Sequence, residues 1–430
     1  MAPADKYGYS HRRRLNGNSP AVRWFDEPNV HLNRYTSHMS RWANPRLAGR
    51  IPELDGIRGI AISLVVIRHY VSNIAQTTPG SPFAYALATL SLTWTGVDLF
   101  FVLSGFLIGG ILWDARQSQN YFSAFYMRRI YRIWPVLFAW LTIYIVATPI
   151  SNSWVWAGVF GHQIPTLSYA LFVQNIVMTS KKTYGSDWLA ATWSLAVEEQ
   201  FYLVLPLVVF AISSARKLAV IVGASSIAAI VFRTWICLHG DFSYGPYMLL
   251  PCRADALGCG VLIALAVRDA SIWAWLERNG RLVKLTAAAL AVGLIPLLFQ
   301  PFGSWLMSTV GYSWIALFYS ALILLALTRS SAGFNRIVLY PPLRSLGTIA
   351  YGLYIFHYGI LSTAYALVLH RAPQLSNSHE LIFPAASLAA SLGLATLSWK
   401  FMEKPLLRRA AARHKYRSKP ELIVRESTPA

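Results

Sequence analysis

Residues 164–178 read IPTLSYALFVQNIVM, and whether they cross a membrane decides the topology of the whole chain. A crossing helix needs about 20 apolar residues; this stretch has 15 and includes Gln174 and Asn175. It is too short and too polar to span, and reads as an interfacial or re-entrant piece. Ten longer apolar segments surround it, at about 58–74, 90–112, 132–149, 192–212, 218–238, 247–267, 285–300, 305–328, 346–369 and 381–402. An even number of crossings puts the two termini on the same side.

Of the 430 residues, 55% are hydrophobic and 13% charged, where a soluble domain carries about 25% charge. That excludes a disordered chain and argues against a soluble one. Lys and Arg number 38 against 18 Asp and Glu, a formal charge of +20. Such a surplus suits nucleic acid, anionic lipid, an anionic substrate or orientation in a membrane, and its distribution separates these. With ten crossings, 31 of the 38 cations fall on the side of the termini and three, Lys181, Lys182 and Arg371, on the other. Cytoplasmic loops collect Lys and Arg. The expected fold is therefore all-α, a polytopic membrane bundle of about ten transmembrane helices with both termini cytoplasmic. Nucleic-acid binding is set aside, because the basic residues lie at membrane edges and not in an aromatic-interleaved soluble domain.

Three parts follow: a basic polar N-terminal tail at 1–50, a transmembrane domain at 51–405 and a basic tail at 406–430. The first, with His11-Arg12-Arg13-Arg14, suits contact with lipid headgroups. It holds no apolar leader, so insertion is expected to begin at the first span. Cys237, Cys252 and Cys259 form no metal spacing and no disulfide framework, and no metal is expected.

Charged groups in mid-bilayer cost about 2.5–3.5 kcal/mol each and usually line a functional path. In the first span Arg58 and His69 are 11 residues apart, three turns at about 3.6 residues each, so both share one face about 16 Å apart along the axis. A buried imidazole there suits a general base or a nucleophile, or is a structural histidine capped by a carbonyl. Arg68, about 100° around the helix from it, reads as snorkelling or ion-paired. In GVDLFFVLSGFLIGG (96–110), Asp98 is placed to orient His69, while Ser104, Gly105, Gly109 and Gly110 allow close helix approach. In FYMRRIYRIWP (125–135), Arg129 and Arg132 share a face, and two guanidinium forks suit phosphate oxygens. Juxtamembrane cations are also plain topology signals.

In WSLAVEEQFYLVLP (193–206), Ser194, Glu198 and Tyr202 form one stripe, with Glu199 about 100° away. Adjacent carboxylates in a span suit acid–base work or holding a histidine's tautomer. Arg253 and Asp255, two apart in PCRADALG (251–258), suggest a local pair. SLGTIAYGLYIFHYG (345–359) aligns Tyr351, Tyr354 and Tyr358 with Ser362 below; His357 lines the cavity or only packs. FMEKPLLRR (401–409) reads as an interfacial anchor around Glu403 and Pro405.

Five of these stretches, ELDGIRGIAISLVVIRHY (53–70), GVDLFFVLSGFLIGG, FYMRRIYRIWP, WSLAVEEQFYLVLP and the closing MEKPLLR (402–408), stand in an order that resembles the membrane acyltransferase-3 family. These are bacterial integral-membrane O-acyltransferases, and the resemblance covers about residues 51–410. It implies a ten-helix bundle and an acyl-CoA donor, most often acetyl-CoA. It implies that His69 with Arg58 forms the basic-x10-His element needed for transfer, and that Arg129 and Arg132 form the RxxR element that takes the donor. Ser104 and Tyr202 are placed with the donor as well. Glu198, Glu199 and Asp98 join His69 in the catalytic set. Arg68 stands where the family is usually uncharged. With about 27 residues after Glu403, a stand-alone form is expected, without the hydrolase-like extracytoplasmic domain of some members.

The expected function is transfer of an acyl group, acetyl above all, from cytoplasmic acyl-CoA to a hydroxyl of a carbohydrate or glycolipid, in the inner membrane. His69 would act as base or as acyl carrier. The alternative is a transporter or flippase for a glycan or lipid intermediate, which equally needs intramembrane charges; no inverted repeat supports it. A non-catalytic membrane scaffold is the third class.

Overall fold

The computed structural model describes residues 51–76, 81–150, 154–161, 163–240 and 244–417. The tail expected at 1–50, and the final residues 418–430 of the C-terminal one, lie outside them. The regular elements among the described residues are helices, with one isolated bridge between Ala75 and Leu375. The long ones are α1 (Pro52–Ile67), α2 (Gly96–Ala115), α3 (Tyr121–Ala147), α4 (Trp193–Ala211) and α5 (Ala215–Leu238). They continue as α6 (Leu250–Ala266), α7 (Gly280–Val292), α8 (Tyr312–Leu327), α9 (Ala350–Leu369) and α10 (Ile382–Ser398). With their helical flanks, nine are long and apolar enough to cross a membrane. The tenth, α1, runs on through a π-helical turn at Arg68–Ser72 and carries Glu53, Asp55, Arg58 and Arg68.

Residues 164–178 do not span. They form two short helices, Thr166–Ala170 and Gln174–Lys181, separated by Phe172 in the left-handed region at φ 56°. The polar pair that argued against a span is buried here. Gln174 Nε2 donates to the Thr192 carbonyl at 2.8 Å, and Asn175 Nδ2 donates to the Met248 carbonyl at 3.0 Å. These bonds tie the segment to the entrances of α4 and α6.

The bundle distributes polarity as lipid requires. Leu203, Val204, Leu207 and Phe210 of α4 and Val220, Ile227 and Val231 of α5 are exposed, while Asp98, Arg233, Arg253, Asp255 and His357 are buried. In water the reverse is the rule; in lipid, charges face the bundle interior. The fold is an all-α polytopic membrane bundle. α2 and α6 cross closely: a Cβ at Gly105 would stand 1.9 Å from the Leu257 carbonyl oxygen and one at Gly260 would stand 2.1 Å from that of Val102. Small residues at such crossings let backbones meet.

α1 starts with Pro52 and has Glu53 and Asp55 in its first turn, a proline and two acids where the helix dipole favours them. Glu53 is buried and accepts from Arg329 Nε at 2.8 Å. After α10, a π-helical turn at Trp399–Glu403 leads into the helix Lys404–Arg413. Arg128 Nε of α3 donates to the His414 carbonyl and Asn120 Nδ2 to the Lys415 carbonyl, both at 2.8 Å. The first part of the expected C-terminal tail is therefore helical and fastened to α3.

Candidate active site

α1 to α4, α9 and the turn after α10 line a partly open cavity of about 200 Å³. Arg58 of α1, Ser104 of α2, Arg129 and Arg132 of α3, Glu198 and Tyr202 of α4, and Tyr351 and Tyr354 of α9 line it, with Trp399 and Glu403. Helical spacing explains the grouping: Arg129 and Arg132 are one turn apart, as are Ser194, Glu198 and Tyr202. The Tyr202 hydroxyl lies 2.5 Å from Ser104 Oγ and donates to Glu198 Oε2 at 3.1 Å. The Ser194 and Tyr354 hydroxyls lie 2.5 Å apart. Tyr351 donates to the Ile133 carbonyl at 2.6 Å.

Arg58 is held by Asp55 at 2.9 Å. Arg129 stacks over aromatic faces, its Cζ 5.6 Å from the Tyr202 ring centre, and its buried Nε has no hydrogen-bond partner among the described residues. A buried N–H left without an acceptor is costly, and three guanidiniums lining one cavity suit an anion with several phosphate oxygens. Glu198 and Glu403 set carboxylates on the same cavity, so its charge is mixed. Glu403, expected as an interfacial anchor, is instead buried and accepts from Ser398 Oγ at 2.9 Å.

His69 lies outside the cavity lining, further along α1. The π-helical turn carries it: Asn73 N–H bonds back to the Arg68 carbonyl at 2.9 Å, five residues earlier. Such widened turns recur at functional sites. His69 Nδ1 stands 2.9 Å from the Val65 carbonyl and 3.2 Å from Nε2 of His357 on α9. The Tyr358 ring lies 4.9 Å from that of His69, centre to centre. Asp187, in the loop before α4, accepts from Ser362 Oγ at 2.8 Å and hydrogen-bonds to Tyr358. Burial pushes the Asp187 carboxyl above its ordinary range. α9 joins the two regions, since Tyr354 lines the cavity and its ring lies 5.9 Å from that of His357. α1 joins them too, with Arg58 at one end and His69 at the other. Both helices run from the cavity towards the imidazoles.

The expected convergence of Asp98 and Glu198 on His69 is not found. Asp98 is salt-bridged to Arg253, with both side chains fully buried. Arg253 thereby leaves Asp255, which pairs with Arg233 of α5 at 2.9 Å. Glu198 shares the arginine-lined cavity, and Glu199, behind it, is not part of the lining. Sequence reasoning missed Asp187 altogether, because it lies in a loop without helical period, and misread Glu403. His357 and Tyr358 carried a signal, a histidine and tyrosine in a span, without a partner to give it meaning.

The site is a polytopic membrane domain's arginine-lined cavity, joined by two helices to paired imidazoles, and its guanidiniums suit an anion. The chain belongs to the acyltransferase-3 family, whose acyltransferase-domain profile matches residues 51–400. It is similar to the peptidoglycan O-acetyltransferase OatA of Listeria monocytogenes, 26% identical over 83% of this chain and 56% of that protein. The putative peptidoglycan O-acetyltransferase YrhL of Bacillus subtilis is 25% identical over 83% of this chain and 55% of its own length. A putative O-acetyltransferase of Staphylococcus aureus is 23% identical over 83% and 57%. The chain thus spans little more than half the length of these relatives. No solved structure matches it.

Proposed function

We propose that this protein is an O-acyltransferase that moves an acetyl group from cytoplasmic acyl-CoA to a hydroxyl of a cell-envelope carbohydrate. It would work in the inner membrane with both termini in the cytoplasm. The observation that carries this reading is the continuity of the polar interior. Three arginines line one cavity, and Tyr354 on its wall packs against His357, the hydrogen-bonded partner of His69. Family membership and the names of the relatives support the reaction class; the cation distribution supports the orientation.

Arg58, Arg129 and Arg132 would hold the phosphates of the donor, and the unpartnered Arg129 Nε fits an acceptor oxygen there. The donor supplies the acyl group as a thioester. His69 Nε2 takes the acceptor hydroxyl's proton as that oxygen bonds to the acyl carbon, and the same proton returns to the leaving sulfur. In the covalent variant His69 carries the acyl group itself, which produces a burst of thiol release before acceptor is added. Asp187, Tyr358 and Ser362 supply polar groups beside His69 that suit a sugar hydroxyl.

The test is thioester turnover by purified protein in lipid, with acetyl-CoA as donor, against the His69→Ala variant. Loss of turnover in that variant supports the reading; full turnover overturns it, and a transporter or scaffold would show none in either. Mass spectrometry of surface glycans from cells with and without the protein reads the acceptor as a missing acetyl mass.

A further inference from the structure

Two histidines in van der Waals reach need not cooperate; here their hydrogen-bonding partners decide that they do. His357 is fully buried, and its Nδ1 lies 2.8 Å from the Tyr354 carbonyl and 3.1 Å from the Leu353 carbonyl. Carbonyls only accept, so the His357 proton sits on Nδ1 and its Nε2 presents a lone pair. That lone pair faces His69 Nδ1 at 3.2 Å. The other neighbour of His69 Nδ1 is again a carbonyl, that of Val65 at 2.9 Å. Both neighbours accept, so Nδ1 of His69 carries its proton, shared between them, and Nε2 is left as its basic nitrogen.

We infer that His357 is the positioning residue for His69: its Nε2 accepts from His69 Nδ1 and so fixes the ring that presents Nε2 for proton transfer. In most acid–base histidine sites a carboxylate fills this place. Here Asp98 is committed to Arg253 and Glu198 to Tyr202. The pairing is also braced from the backbone. Tyr70, next to His69 in the π-helical turn, donates its hydroxyl to the His357 carbonyl at 2.7 Å and lies 3.1 Å from Ser391 Oγ. Adjacent residues of one turn thus grip both ends of His357, and α1, α9 and α10 are locked together at this level. The Tyr358 ring closes the other side of the His69 imidazole. A neutral acceptor has a consequence that a carboxylate lacks: it orients the imidazole without adding a buried negative charge beside the path of an anionic donor.

This inference rests on the proposed role of His69, so its test has two independent arms. In the first, histidine is labelled with nitrogen-15 in full-length protein in lipid bilayers. A correlation between one protonated and one unprotonated imidazole nitrogen is expected, and it disappears in His69→Asn and in His357→Leu. Its absence from the wild-type protein, or its survival in His357→Leu, overturns the inference whatever the protein catalyses. In the second arm, acetyl-CoA turnover is measured in His357→Leu and His357→Gln. The Gln amide oxygen reproduces an acceptor near the Nε2 position. In His357→Leu kcat falls about 10–100-fold, the scale on which partners of a working imidazole act, with donor KM unchanged; His357→Gln recovers most of it. Equal losses in both variants, or a loss confined to KM, overturn the positioning role. If turnover does not depend on His69, the proposed function fails while the first arm still stands or falls by itself.

Discussion

The Tyr202 hydroxyl and Ser104 Oγ lie 2.5 Å apart, and this bond joins α4 to α2 across the wall of the arginine-lined cavity. Tyr202 also donates to Glu198, so Ser104 donates to Tyr202, and removing the Tyr202 hydroxyl leaves both Glu198 and Ser104 without that partner. That costs about 1–3 kcal/mol. Tyr202→Phe and Ser104→Ala are each expected to raise the donor KM about tenfold with a small change in kcat. The double variant should be no worse than the worse single one, because both remove the same bond. Steady-state kinetics against acetyl-CoA reads all three.

Arg129 and Arg132 face one cavity, and a guanidinium fork is not replaced by an ammonium. Hydrogen bonds to charged groups contribute about 1.5–3 kcal/mol each. Arg129→Lys and Arg132→Lys should therefore weaken CoA binding about 10–100-fold, as read by calorimetric titration of the protein in detergent. Unchanged affinity in both variants would remove the cavity from the donor path.

The fully buried bridge between Asp98 and Arg253 is expected to act on stability. Breaking a buried pair from one side costs about 3–5 kcal/mol, whereas replacing both partners with apolar groups is often nearly neutral. Asp98→Asn should lower the thermal midpoint more than Asp98→Asn combined with Arg253→Met. The measurement is thermal unfolding in detergent, followed by tryptophan fluorescence.

Asp187 gives a pH signature. Burial raises its folded carboxyl above the ordinary 3.8, so its contribution to stability is fully present below that value and is lost as pH rises through the folded pKa. Asp187→Asn should remove this decline and leave stability flatter with pH across the acid range. Thermal midpoints taken from acid to neutral pH check it, and parallel curves for the two proteins would contradict it.

That 164–178 does not cross was legible because hydrocarbon imposes a length: the stretch is short and polar, and it folds as two short helices joined at Phe172. Side-chain spacing along one helix was legible for the same kind of reason. Ser194, Glu198 and Tyr202 do share a stripe, and Arg129 and Arg132 do share a wall. What spacing does not specify is which neighbouring helix that stripe meets. Asp98 therefore read as a partner for His69 and proved to be a partner for Arg253, and Arg253 and Asp255, neighbours in the chain, each bond elsewhere. The imidazole partner of His69 lies 288 residues away, beyond any local pattern.

Arg233 is fully buried and is held by Asp255, by Ser313 Oγ at 2.6 Å and by the Cys252 carbonyl at 2.5 Å. During synthesis α5 emerges before α6, so Arg233 is made before its anion exists, and an unpaired charge in a span is costly. The two helices are therefore expected to leave the insertion machinery as a hairpin. Asp98 of α2 waits longer still, because Arg253 arrives on the same α6. The crossed pairs thus predict an order of biogenesis in which the sixth helix completes the charge pairing of both the second and the fifth.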